Sequence, residues 1–191
     1  MKSLFFILAA SLLFFSCRQN NTKKELPSDS IFHLTSQWQD QHNQSYSLNT
    51  LRGKTLVVVM IYTSCKTACP ILVADMKRIE RQIKPAYLGK VSLVLVSIDP
   101  ETDTPARLAE FAKTGGMNAP QWVFLRSDEA ATQEFANVLA MKYKKISPVD
   151  FSHSNIISVF NPEGELILQE EGTGINAEKV AGKVNETVKG S

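Results

Sequence analysis

Apolar positions along the chain alternate between two spacings. TLVVVMIY (55–62) is an unbroken apolar and β-branched run, the pattern of a strand buried on both faces. Beyond Cys69, the residues Ile71, Leu72, Met76, Ile79 and Ile83 recur at helical spacing and predict a helix to about Lys84. VSLVLVSI (91–98) predicts a second buried strand. Thr104-Pro105 opens a helix to about Lys113, and Gly115-Gly116 closes it. WVFL (122–125) is a short strand, and Ser127 or Asp128 caps a helix to about Tyr143. NIISVF (155–160) and ELILQ (165–169) flank Asn161-Pro162-Glu163-Gly164, a hairpin signal. Residues 176–189 predict a terminal helix.

Strands that alternate with helices and then close in an antiparallel hairpin predict an α/β fold of thioredoxin-like layout. The expectation is a central mixed sheet, helices on both faces and an added N-terminal hairpin. Sites in such sheets lie beyond the carboxyl ends of the strands. The first core strand runs into Thr63-Ser64 and then Cys65, so YTSCKTACP (62–70) stands where a site is expected.

The N-terminus reads differently. Lys2 precedes LFFILAASLLFF (4–15), an apolar run of 12 residues. About 20 are needed to cross a bilayer as a helix, so the run predicts a signal peptide (1–16) and no permanent span. Ser16-Cys17 after it resembles a bacterial lipoprotein processing site, although Phe14 replaces the usual Leu. Cleavage before Cys17 and lipidation of its thiol are expected. Residues 17–30, polar and containing Pro27, then form the lipidated Cys and a flexible tether, with one domain at 31–191. The protein is therefore expected to be exported and lipid-anchored to the bacterial cell envelope, its domain outside the cytoplasm, on the periplasm side.

Charge adds an exclusion. The formal net charge is +2, and the loss of Lys2 with the signal peptide leaves +1. No basic block accompanies it, so nucleic acid is not an expected partner. The chain has three Cys. Lipidation of Cys17 leaves Cys65 and Cys69 as the thiol pair, in a compartment where a disulfide persists. If a helix began near Cys65, the two would share its face, and both thiols would ionise easily at its N-terminus. Pro70 would bend that first turn. The spacing alone serves a metal clamp, a redox pair or a structural disulfide. A disulfide closing so short a loop stabilises little.

A third ligand separates these. His33 and His42 precede the core strand and read as surface residues. His153, in a loop before NIISVF, lies where the layout brings a loop beside the cysteine helix. Two thiolates and an imidazole suit copper, as Cu(I) or Cu(II); zinc usually requires a fourth ligand. Asp99 and Asp103 in SIDPETDTP read as a turn and helix N-cap region. Met60, Met76, Met141, Trp38 and Trp122 read as core.

YTSCKTACP, VSIDPETDTPARLAEF and FSHSNIISVFNPEGE together resemble the SCO/SenC copper chaperones of cytochrome c oxidase assembly, over about residues 31–175. The resemblance implies a thioredoxin-like fold and copper on Cys65, Cys69 and His153. It also implies delivery of copper to the binuclear copper centre of a respiratory oxidase, or reduction of that centre's cysteines. Two departures stand out. Many members carry Pro and Asp where this chain has Lys66 and Thr67, and Asp directly before the His where it has Ser152. The leading reading is a metallochaperone whose partner is the copper-centre subunit of cytochrome c oxidase or another envelope copper enzyme. The alternative is a thiol–disulfide oxidoreductase using Cys65 and Cys69 as its catalytic pair. A peroxiredoxin-like peroxidase ranks last, because Thr63 stands two residues before Cys65 where that chemistry has three.

Overall fold

The computed structural model describes residues 25–147, 150–172 and 174–191. The signal peptide, Cys17 and most of the tether lie outside the described residues.

Chain order gives β1 (Gln37–Asp40), β2 (Ser45–Ser47), β3 (Thr55–Ile61), α1 (Ala68–Gln82), β4 (Val91–Ser97), α2 (Pro105–Thr114) and β5 (Trp122–Arg126). There follow α3 (Glu129–Val138), β6 (Tyr143–Ser147), β7 (Asp150–His153), β8 (Ile156–Phe160), β9 (Leu166–Glu171) and α4 (Ala177–Gly190). Seven strands form one sheet in the order β2-β1-β5-β4-β3-β8-β9. β3 pairs in parallel with β4, and β4 with β5; β8 joins β3 antiparallel, and β1 joins β5 antiparallel. This is the expected mixed sheet with its N-terminal hairpin (β1–β2) added at one edge.

Continuous apolar runs mark the centre. Every residue of β3, β4 and β8 is buried, as strands covered on both faces require. α1 packs against α4 through buried Leu72, Met76 and Ile79 on one side and Val180, Val184 and Val188 on the other. α2 joins that layer, where the Lys77 ammonium donates to the Gly115 carbonyl at 2.8 Å. α3 packs on Trp38 of β1, whose ring meets Phe135 edge-on at 5.4 Å. Trp38, Trp122, Met60, Met76 and Met141 are all buried, as expected.

The β8–β9 turn needs its glycine. Gly164 has φ +86°, and a Cβ there would lie 2.6 Å from Ser30 Oγ and 2.7 Å from the Phe32 ring. Asn161 braces the turn by accepting from the Glu163 and Glu165 amides.

Two expectations need correction. α3 ends at Val138, short of Tyr143. Ala140 takes φ 52°, and the Met141 amide donates back to the Ala136 carbonyl, so a left-handed residue stops the helix. The chain then forms a second, two-stranded sheet, β6–β7. Residues before NIISVF, expected to be loop, are thus partly strand, and His153 ends β7, where it pairs with Tyr143.

Candidate metal centre

Cys65 stands between β3 and α1. Its amide donates to the Tyr62 carbonyl at 3.2 Å, which folds the loop into a turn directly after the strand. α1 begins only at Ala68, so Cys65 precedes the helix instead of sharing its face. The pair meets another way: the Cys69 amide, in the first turn, donates to Cys65 Sγ at 3.4 Å. A first-turn N–H has no partner within its helix, so the sulfur satisfies it. Pro70 follows in the same turn, where its missing N–H removes no helical bond.

Burial divides the two thiols. Cys65 is partly exposed and Cys69 is buried; both are free thiols. Partial burial opposes ionisation of Cys65, but hydrogen bonds, first those from the Cys69 and Thr67 amides, outweigh it. Its pKa falls to about 6. Burial pushes the Cys69 thiol upward, and the neighbouring Cys65 charge adds to that. The expectation that both thiols ionise easily therefore holds for Cys65 alone.

His153 arrives from β7. One ligand atom from each of Cys65, Cys69 and His153 lies within 4.8 Å of the others. Among the described residues, no other group of three such side chains converges in this way. His153 Nδ1 lies 3.1 Å from the Ser154 carbonyl. A carbonyl only accepts, so Nδ1 donates in this contact. His33 is an exposed side chain whose Nε2 meets the Pro27 carbonyl, and His42 is exposed as well. Neither joins the centre.

Three residues outside the expected set hold it. Tyr62, immediately after β3, is buried. Its hydroxyl donates to Asp150 and accepts from the Phe151 amide at 3.3 Å, and its ring meets His153 edge-on at 5.8 Å. One side chain thus pins the His-bearing hairpin to the Cys-bearing strand. Asp150 is three residues before His153, yet its carboxylate serves Tyr62, and the Ser154 carbonyl takes the imidazole N–H. Asp103 is the third. It is fully buried and accepts from the Thr63 amide at 3.1 Å, from the Thr63 hydroxyl, and from Ser97 Oγ at 2.7 Å. Arg107 Nε donates to Thr63 Oγ1 at 2.6 Å. The helix cap is instead Thr104, accepting from the Arg107 amide. Asp103 therefore ties the start of α2 to the loop that carries Cys65. Asp99 makes the expected turn, its carbonyl accepting from the Thr102 and Asp103 amides.

Both sulfurs open onto a groove walled by Pro70, Val73, Phe111 and Met117. The centre is therefore reachable from outside through Cys65, while Cys69 lies buried behind it. Two soft sulfurs and one imidazole, convergent and three in number, suit a metal that accepts low coordination.

Comparison with known proteins agrees with this reading. The family model SCO1/SenC matches residues 22–189. The SCO1 protein homolog of Bacillus subtilis is 27% identical over 138 residues, 71% of each chain. The solved structure of Bradyrhizobium japonicum ScoI with copper bound superposes with a TM-score of 0.68 at 22% identity, covering 80% of this chain and 96% of that one. A SCO1/SenC family lipoprotein from Bacillus anthracis superposes with a TM-score of 0.72 at 21% identity, covering 79% and 91%. These likenesses show the fold.

Proposed function

The chain belongs to the SCO1/SenC family, and on that premise we propose that it is a copper metallochaperone of the bacterial cell envelope. The observation that carries this reading is the convergence of Cys65, Cys69 and His153 within 4.8 Å. Copper is the cargo. Cys65 offers a thiolate already formed, Cys69 gives up its proton on binding, and an imidazole nitrogen of His153 completes the set. Cys65 and His153 are partly exposed, so a partner's ligands replace them first, and Cys69 releases the ion last. The copper-bound relative from Bradyrhizobium supports the choice of metal. The client is the copper-centre subunit of cytochrome c oxidase or another envelope copper enzyme. The lipoprotein relative from B. anthracis supports an anchor at Cys17 behind a cleaved signal peptide. Among the described residues no helix is long and apolar enough to cross a membrane.

One observation favours a second reading. The thiols differ as an attacking and a resolving cysteine differ. Cys65 thiolate would attack a client disulfide and release one client thiolate. Cys69, on losing its proton, would then attack the Cys65 sulfur, close the Cys65–Cys69 disulfide and release the second client thiol. Two electrons pass to the client.

Spectroscopy separates the readings. Copper added to the reduced protein is expected to give a thiolate-to-copper charge-transfer band at one ion per chain, absent from both Cys65→Ser and Cys69→Ser. If no copper binds while client-type disulfides are reduced, the oxidoreductase reading replaces the chaperone.

A further inference from the structure

Cationic side chains border the centre. Lys142 and Lys144 of the β6–β7 hairpin, with Ser152 and Ser154, line an open cleft that contains His153. Lys66 is exposed directly after Cys65. Arg107, held by Thr63 two residues before Cys65 and paired with buried Asp103 at 3.8 Å, keeps a side chain 45% exposed. Among the described residues, Lys66, Lys142 and Lys144 form no ion pair, whereas the neighbouring Lys145 is bound to Glu101 at 2.8 Å. The nearby carboxylates lie outside that cleft. Asp150 accepts from Tyr62, Asp103 is buried under Thr63, and Asp99, Glu101 and Glu129 line an adjoining pocket with Phe151, on the far side of Tyr143 and Lys144, which border both. The cleft around His153 contains no acid.

Lys66, Lys142 and Lys144, like charges without an ion-pair partner among the described residues, repel one another and lower the stability of the face that bears them. They also set which surface can approach the metal ligands. We propose that this cationic rim is a docking surface for a partner protein whose own thiols or metal ligands stand among acidic side chains. The inference rests on the reading that Cys65, Cys69 and His153 exchange with a partner. Lys66 and Arg107 flank the sulfur side, and Lys142 and Lys144 flank the imidazole side. An acidic collar would therefore meet cations on both sides of the ion being exchanged. Complementary charge of this kind mainly accelerates encounter and rejects partners of the wrong sign.

Two short peptides test the rim directly. In one a cysteine is flanked by Asp and Glu, in the other by Lys, and each is activated as its thionitrobenzoate mixed disulfide. The full chain carries Cys17→Ser, so only the motif thiols report. Cys65 thiolate attacks the peptide sulfur, forms a Cys65–peptide disulfide and expels thionitrobenzoate, whose release gives the rate. A bare thiolate is an anion and favours the Lys peptide, so a preference for the acidic one must come from the rim. At low ionic strength the acidic peptide is expected to react about 10-fold faster, and the advantage should vanish in high salt. The double variant Lys142→Glu/Lys144→Glu should lose or invert the preference.

Equal rates, a faster Lys peptide, or an acidic preference that survives the double reversal would overturn the proposal. Equal rates with both peptides, together with wild-type but not variant sedimentation on phosphatidylglycerol vesicles, would assign the cations to a membrane surface and likewise overturn it. Copper stoichiometry is read in parallel on the same samples. Its failure bears on the proposed function and leaves the peptide ratio interpretable.

Discussion

Tyr62 does at the centre what neither cysteine can do alone. Its hydroxyl is shared between Asp150 and the Phe151 amide, and its ring stands against His153. Tyr62→Phe keeps the ring and removes the hydroxyl, leaving the Phe151 N–H and the Asp150 carboxylate without that partner. The expected cost is about 1–2 kcal/mol of stability, with weaker metal binding as the hairpin loosens; chemical denaturation and copper titration read the two effects. The thiols differ in the same way that their surroundings differ. In metal-free reduced protein, Cys65 should alkylate with an apparent pKa of about 6, while Cys69 stays unreactive at neutral pH. The sign of the linked stability follows. Between about 6 and the ordinary thiol value of 9.0, the folded chain has released the Cys65 proton and the unfolded chain has not. Stability therefore rises with pH across that window and is lost as pH falls through about 6. Cys65→Ser should flatten that slope in a denaturation series. The ligand types were legible in the sequence because two Cys stand just after a buried strand and a His just before another, places where few other roles call for them. The inequality of the thiols was not, because it depends on Cys65 lying outside the helix whose first turn bonds it.

The hairpin β6–β7 and the β4–α2 connection place the centre at the level of elements. YKKIS (143–147) is exposed almost throughout, so it carries no apolar alternation by which a strand is recognised. Its pairing partner has only four residues, alternately exposed and half-buried, too short a run to read as a strand, which is why a loop was expected there. The hairpin that carries His153 was thus the least legible element, whereas the buried runs of β3, β4 and β8 were plain. Asp103 shows the opposite failure. DTP reads locally as a cap, but the side chain turns inward to Thr63 and Ser97, a contact across 40 residues. Asp103→Ala would leave the Thr63 amide and Ser97 hydroxyl unpaired in a buried site. A loss of about 2–3 kcal/mol is expected, read as a fall of about 4–12 °C in Tm. Asp103→Asn should recover part of it. An unchanged Tm would show that this carboxylate does not brace the loop.

Across the whole molecule, a mixed sheet buries its central strands and leaves their carboxyl ends free to carry chemistry. β3 delivers Cys65 and Cys69 there, and the hairpin folded against Tyr62 delivers His153 from the other side. The layout was readable because parallel strands with helical crossovers leave few topologies, and because the final hairpin announces itself through Asn161 and Gly164. What required the structure was the placing of an exposed hairpin against a buried loop. Whether that placing creates one three-ligand site is tested most directly by titrating copper into reduced residues 18–191 and into the same chain with His153→Ala. The account predicts one copper per wild-type chain and a Kd at least about tenfold higher in the variant, the loss typical of a disturbed metal site. An unchanged Kd in His153→Ala would contradict it.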